Sequence, residues 1–432
     1  MSATLLLNGT VVELDPPHVE RRDVVLHGAE IKSPDEPFPT TATIDCTDCL
    51  IVPGFVVAHT HLYSGLATGM PPPPHHTGTF RQILEHIWWR LDRALDADTL
   101  RSSVRVAALH AIRSGTTCLI DHHESPNFID GSLDVIAEEL DAIGLRACLT
   151  YGATDRHGPD GARAGLDESE RFTKKVEEHP TLRGAIGLHA PFTCAVETME
   201  SAADRATLHR AWLHYHAAEG PDDQFVARER GAHSLFEQLE QVGLVNNRAI
   251  AAHAVDITER EQRIIGNGGV WVTHQARSNM NNGVGYAKHL LQLDRVALGT
   301  DGIDNDLLEE NRAAFFRARE HTGPTEWPDV VRRVAKGHEL AGEIFGAPSF
   351  GRLSRGAPAD VVVLDYPEGT PIDRDNIAGH LLFGWRGANV RDVFVAGRPL
   401  LRNRKLVTLD ERNVLDESRA MARRLWQQME AL

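Results

Sequence analysis

Residues Pro53–Gly65 read PGFVVAHTHLYSG, an apolar run that ends by presenting two imidazoles, His59 and His61, around a single threonine. A continuous apolar stretch of this kind is the form a strand takes when a parallel sheet buries it on both faces. Side chains alternate along a strand, so His59 and His61 point to one side and can offer two nitrogens to one ion. An isolated H-x-H is weak evidence. Its weight depends on what the rest of the chain sets beside it.

The pattern repeats downstream. TTCLID, LRACLTYGATD, LRGAIGLHA, AWLHYHAAE, RAIAAHAVD, GVWVTHQAR and RVALGTD are apolar runs separated by amphipathic stretches such as GSLDVIAEELDAIG and DESERFTKKVEEHP. Roughly 290 residues of alternating strand and helix is the size of a (β/α)8 TIM-like barrel, here over residues 53–349. The C-terminal ends of barrel strands share one mouth, where active sites sit. Those ends carry His59 and His61; Asp121, His122 and His123; Thr154, Asp155 and Arg156; His189; His214, His216 and Glu219; His253; His274; and Asp301. Converging imidazoles with one carboxylate suit a divalent transition metal.

The ends of the chain are β-rich. ATLLLNGTVVEL and DVVLHGAEI open it, and ADVVVLDY and VRDVFVAGRPLL return near its close. Residues 1–52 and 350–408 are predicted to meet as one small β-sandwich, with a last amphipathic helix from about Asp410 to Leu432. The expected division is therefore 1–52, 53–349 and 350–432, in an α/β fold.

Composition narrows the partners. The net charge of −16, from 61 acidic and 45 basic residues, with no basic stripe, argues against a nucleic-acid partner. No run approaches the ~18 consecutive apolar residues of a membrane span, and the N-terminus lacks the pattern of a secretory signal. Five cysteines in 432 residues suggest a reducing compartment, and a cytoplasmic location is expected. Cys46 and Cys49 form C-x-x-C, but no second such pair supplies a structural zinc site.

PGFVVAHTH, HAAE, HAV, THQARSNM and LGTDG, in that order, resemble the amidohydrolase superfamily, in its branch of cytosine, guanine and triazine deaminases. WWRLDRALD, DHHESPNFIDGSLDVIAEEL, TDRHG, HYHAAEG and GHLLFGWRGANV more closely resemble SsnA-type aminohydrolases. The resemblance implies metal ligands His59, His61, His216 and Asp301, with Glu219, His253 and Asp301 as catalytic groups. One departure stands out: Gln275-Ala276-Arg277-Ser278-Asn279 replaces the N-P-R-S-N the family often has. Binuclear relatives bridge two ions with a fourth-strand lysine. Here that strand, GAIGLHAPFT, ends in His189, so one divalent ion is expected, zinc before iron.

The implied chemistry is hydrolytic deamination of a purine- or pterin-like N-heterocycle by a metal-bound hydroxide. Asp301 accepts the water's proton, Glu219 passes a proton to a ring nitrogen, and His253 stabilises the attacking oxygen. Ring opening of a cyclic amide by the same water is the alternative, and a catalytically silent metal-binding protein is a third. Candidate substrate contacts are His123, His189, Trp89, Arg156 and Arg277. One of His122 and His123 must face inward, and His123 is the choice. Trp89 lies in FRQILEHIWWRLDRAL, whose amphipathic spacing predicts a buried first helix, and there packing competes with a role over the substrate ring. The proline-rich loop Met70–Phe80 reads as a stiff solvated segment rather than a lid. A small heterocycle, water and a possible second copy of the chain are the expected partners.

Overall fold

The computed structural model describes residues 3–36, 39–73, 75–323, 330–367 and 369–432. Eight parallel strands run in sequence order: β1 (Phe55–Thr60), β2 (Thr116–Asp121), β3 (Arg146–Ala153), β4 (Leu182–Leu188), β5 (Trp212–Ala217), β6 (Ala249–His253), β7 (Trp271–His274) and β8 (Val296–Leu298). Nearly every residue in them is buried, as the apolar runs require. The ring closes between β1 and the residues after β8: Thr300 N and Asp301 N donate to His59 O at 2.8 and 3.1 Å, and Thr60 pairs with Asp301. This is the (β/α)8 barrel.

The barrel is filled, not hollow. Ala58, Ile120, Cys148, Trp212, Ile250 and Ala297 point inward and meet Leu340 and Ile344 of the helix Val330–Phe345, which plugs the end away from the strand C-termini. His338 of that helix donates from Nε2 to Gly54 O at 2.9 Å, tying the plug to the start of β1. Outer helices are set by local signals: Asp96 and Thr258 form capping boxes on helices Ala97–Arg113 and Glu259–Gly268. Gly144, at φ 96°, ends Ser132–Ile143 in the left-handed conformation a Cβ would disfavour.

The two ends of the chain meet, as predicted. Cys49–Pro53 pairs antiparallel with Val361–Asp365 inside a seven-stranded sheet that also takes Thr10–Leu14 and Val390–Val395. A four-stranded sheet of Ala3–Leu7, Val24–His27, Glu30–Lys32 and Thr40–Asp45 joins it through a core of Leu6, Val11, Leu26, Ile51, Val361 and Phe394. Cys46 and Cys49 are buried, and both sulfurs accept from Arg391, at 3.4 and 3.2 Å. The last helix, Glu411–Glu430, docks through Leu425 and Met429. No helix among the described residues is long and apolar enough to cross a membrane.

One element departs from the sequence reading. FRQILEHIWWRLDRAL is not a regular α-helix: Phe80–Ile83 and Trp89–Ala94 flank a π-turn at Leu84–Trp88. The extra residue in that turn lets Phe80, Leu84, Trp88 and Trp89 all line one cleft.

Candidate active site

At the mouth of the barrel His59, His61, His216 and Asp301 each bring one ligand atom to within 4.8 Å of the others. His61 Nε2 lies 2.8 Å from Asp301 Oδ1 and 3.2 Å from His216 Nε2. A bulge between Val57 and Thr60 makes this possible. Ala58 already faces the barrel interior, so strict alternation would turn His59 away; the irregularity turns it in. Gly299 leaves the space, since a Cβ there would stand 2.8 Å from His59 Cβ.

Each histidine is oriented through its other nitrogen. His61 Nδ1 donates to His122 O at 2.6 Å, and His216 Nδ1 to His189 O at 2.7 Å. His59 Nδ1 lies 2.9 Å from His214 Nε2. The two carbonyl bonds fix Nδ1–H tautomers that leave the Nε2 lone pairs of His61 and His216 to the centre, and the His214 contact serves the same arrangement for His59. His59 Nε2 is buried and has no hydrogen-bond partner among the described residues. Three imidazole lone pairs and a carboxylate, one buried donor atom left unpaired, fit a divalent ion of the zinc or iron type.

Glu219, His253 and Asp301 form a second close group. His253 Nε2 stands 3.4 Å from Glu219 Oε2 and 3.9 Å from Asp301 Oδ2. Burial raises the Glu219 carboxyl above its ordinary range, against the pull of His253. The backbone is strained here: Ala218, His253, Ala254 and Asp301 take φ of 51, 78, 47 and 55°. Such conformations cost about 1–3 kcal/mol each and persist where surrounding structure imposes them.

The loop and short helix after β7 complete the site with residues the sequence reading missed. Ser278 Oγ bonds Asp301 Oδ2, His253 Nδ1 lies 2.8 Å from Asn279 Oδ1, and Asn282 Nδ2 donates to Glu219 Oε1 at 3.0 Å. The pattern SNMNN, at i, i+1 and i+4 on one helical turn, was the available signal. Asp223, also missed, accepts from Ala218 N and Phe192 N and so ties the loops after β4 and β5 together.

Above the metal-type cluster lies a cleft of about 580 Å³, open solvent included, walled by Tyr63, Phe80, Leu84, Trp88, Trp89 and Phe192. His61, His189, His216, Glu219, Glu124 and Asp301 face it. The structure thus brings Trp89 and His189 to the cleft, and the guanidinium carbons of Arg156 and Arg81 stand 4.5 and 4.9 Å from the centre of the Trp89 ring.

Three expectations need correction. His123 is fully buried away from the cleft, with Nε2 on Ser125 Oγ at 2.7 Å and its ring against Tyr63 and Tyr151. The inward residue is His122, because Cys118 and Ile120 already face the interior and the alternation continues past the strand. Arg156 does not reach the cleft: it is committed to Asp92 Oδ2 at 2.9 Å and to Glu124 Oε2. Arg277 is likewise engaged by Asp304 and Glu310, at 2.6 and 2.7 Å. The proline-rich loop is also clear of the cleft. Met70 and Pro71–Pro73 pack beside Trp426 and Met429, and Pro74 lies outside the described residues.

Comparison with known proteins agrees with this geometry. A 5'-deoxyadenosine deaminase of Methanopyrus kandleri is 30% identical over 388 residues, which cover 87% of this chain and 86% of that protein. A 5-methylthioadenosine/S-adenosylhomocysteine deaminase of Syntrophobacter fumaroxidans is 30% identical over 445 residues, 97% of each. Among solved structures, an adenosine deaminase from Xanthomonas campestris with bound zinc superposes with a TM-score of 0.86 at 23% identity, covering 98% of both chains. A guanine deaminase from C. acetobutylicum with bound guanine gives 0.74 at 19% identity, over 92% of this chain and 99% of that one. The amidohydrolase family model matches residues 50–400, from the strand that leads into HTH to the return into the small sheets. With the barrel, the His59-His61-His216-Asp301 cluster and these relatives in agreement, the chain belongs to the amidohydrolase family.

Proposed function

We propose that the protein is a metal-dependent aminohydrolase that removes an exocyclic amine from a purine-like N-heterocycle by hydrolysis. The observation that carries this reading is the meeting of a four-donor cluster with a separate buried carboxylate, Glu219, at the floor of an aromatic-walled cleft. His59, His61, His216 and Asp301 would hold a single ion, zinc in preference to iron. When bound, that ion supplies a water acidic enough to attack at neutral pH.

The chain's own groups do the rest. Asp301, held by Ser278, accepts the proton of the attacking water. Glu219 gives a proton to the ring nitrogen next to the attacked carbon, and its burial favours the protonated form that step needs. His253, oriented by Asn279, stabilises charge growing on the attacking oxygen. Trp88, Trp89 and Phe80 stack on a flat ring and exclude water. The relatives named as deaminases of adenosine derivatives support the reaction class.

The same proposal takes residues 53–349 as the hydrolase unit, with 1–52 and 350–432 as the small β-domain and last helix. It places the protein in the cytoplasm, where five buried free cysteines stay reduced, with no nucleic-acid or membrane partner. A homodimer is the assembly to be tested by light scattering. The deciding experiment is ammonia release by zinc-loaded protein over aminated purines, pterins, pyrimidines and triazines, with Asp301→Asn as control. Release that the variant abolishes supports the reading. No release from any compound by protein with bound metal sinks it in favour of cyclic amide ring opening.

A further inference from the structure

One wall of the cleft carries two hydrogen-bond acceptors, Glu124 Oε1 and His189 Nε2, with His122 buried behind them. Glu124 follows β2, which in a ring of eight stands opposite β6 and three strands from β5, so it lies across the mouth from Glu219 and His253. Its Oε2 is held by Arg156. Its Oε1 stands 3.8 Å from His122 Nδ1 and 3.7 Å from His189 Nε2, too far for a hydrogen bond to either.

Both imidazoles have their tautomer fixed from behind. His122 Nε2 donates to Leu188 O at 2.9 Å, so Nδ1 is a lone pair, and that atom is buried without a partner among the described residues. His189 Nδ1 donates to Thr193 Oγ1 at 2.7 Å, since the threonine's own proton goes to Ala190 O at 2.9 Å. His189 Nε2 is therefore a lone pair too. Glu124 Oε1 and His189 Nε2, 3.7 Å apart and both facing the cleft, can share a donor brought by a ligand. Arg156, beside them, is already committed to Asp92 and Glu124 and cannot supply the protons.

A second metal ion fits this wall poorly. The third donor within reach of His122 and Glu124 is His216, whose Nε2 is turned to the first cluster and whose Nδ1 carries a proton bonded to His189 O. His189 Nε2 approaches Glu124 but does not join His122 in a close group, so only two ligand atoms are left together, too few for a built site.

We propose, resting on the deaminase reading above, that Glu124, with His189, accepts a ring N–H of the substrate on the side of the reacting carbon away from Glu219. The preferred ring is then a cyclic guanidine: an aminated carbon between one bare nitrogen and one N–H, as in the 2-amino-4-oxopyrimidine ring of guanine or a pterin. An adenine-type ring, whose aminated carbon has no N–H neighbour, leaves the acceptors unmet. In the reaction Glu219 protonates the bare nitrogen as the C–O bond forms. The exocyclic amine then takes the proton that Asp301 accepted, the C–N bond breaks and ammonia leaves as the hydroxyl proton returns to Glu219 and the carbonyl forms, and the N–H bonded to Glu124 stays in place throughout.

The test is equilibrium binding and turnover of zinc-loaded protein with guanine, 1-methylguanine, pterin, 3-methylpterin and adenine, on wild type and Glu124→Gln. Arg156 will keep the glutamine carbonyl, so the variant turns an NH2 toward the cleft. The expected result is a wild-type preference of about tenfold or more for guanine and pterin over their N-methyl forms and over adenine, lost in the variant at unchanged metal content. Equal binding of the methylated and unmethylated forms, or adenine as the better substrate, overturns the inference and leaves the deaminase reading standing. Loss of one metal equivalent in Glu124→Gln overturns it in favour of a second cation. Ammonia from none of the five, with release from another ring class, overturns this assignment alone; release from no aminated ring at all overturns both.

Discussion

His214 Nε2 stands 2.9 Å from His59 Nδ1, behind the imidazole whose other nitrogen points at Asp301. Both rings are fully buried, and the contact spans two strands on different sides of the barrel. His214 is thus a positioning residue for the deepest nitrogen of the cluster. Partners of this kind commonly cost 10–100-fold in metal affinity when removed. His214→Phe should fold and weaken zinc binding by that factor, read by competition with a chelator. Unchanged affinity would show that His59 is oriented by the bulge in β1 alone.

Glu219→Gln should retain one equivalent of metal and lose turnover by about 10²–10⁴. Asn282 holds the Glu219 carboxylate from one side, so Asn282→Ala should show a smaller loss in kcat with metal content intact. Metal analysis and steady-state kinetics on the same preparations separate these effects. A Glu219→Gln enzyme at wild-type rate would remove that residue from proton transfer.

Gly299→Ala should be far more harmful than its size suggests. The added Cβ would meet His59 O at 2.7 Å and His59 Cβ at 2.8 Å, where β1 closes on β8. Overpacking of this kind costs about 1–3 kcal/mol. Thermal melts should fall, and zinc should bind more weakly because His59 is displaced. A melt and a metal affinity equal to wild type would contradict the account of barrel closure.

The pH dependence of stability has one separable source far from the cluster. Burial pushes His338 down to about 4, although its bond to Gly54 O pulls the other way. The unfolded histidine titrates near 6.5. The folded chain therefore binds this proton less readily than the unfolded one. His338 contributes fully above pH 6.5, and the contribution is lost as pH falls from 6.5 through about 4. The loss is on the order of 3 kcal/mol. Denaturant unfolding at pH 7.5, 6, 5 and 4 should show a shallower acid decline for His338→Gln than for wild type. Parallel curves would contradict this assignment.

Much of the architecture was legible from the apolar runs, because a parallel barrel buries whole strands and leaves polar residues only at their ends. Those ends supplied the candidates, and the resemblance to the amidohydrolases singled out His59, His61, His216 and Asp301 among them. What escaped depended on local departures from regularity or on partners distant in sequence. His123 was chosen over His122 because the parity set by Cys118 and Ile120 was not carried forward. Arg156 and Arg277 looked available because Asp92 lies 64 residues from the first and Glu310 33 from the second, and nothing local announces either pairing. The π-turn that brings Trp88 and Trp89 together into the cleft has no signature in an amphipathic pattern that fits a regular helix as well. Ser278, Asn279 and Asn282 sat in a segment read for its departure from a family motif, not for its own hydrogen-bonding capacity.

The central claim is hydrolytic loss of an amine at a ring carbon, and product analysis in ¹⁸O-enriched water tests it most directly. With zinc-loaded protein and a ring that it turns over, the account predicts one ¹⁸O in the intact ring product and one ammonia per turnover, both absent with Glu219→Gln. Incorporation of ¹⁸O without ammonia, into a product whose ring has opened, would contradict it.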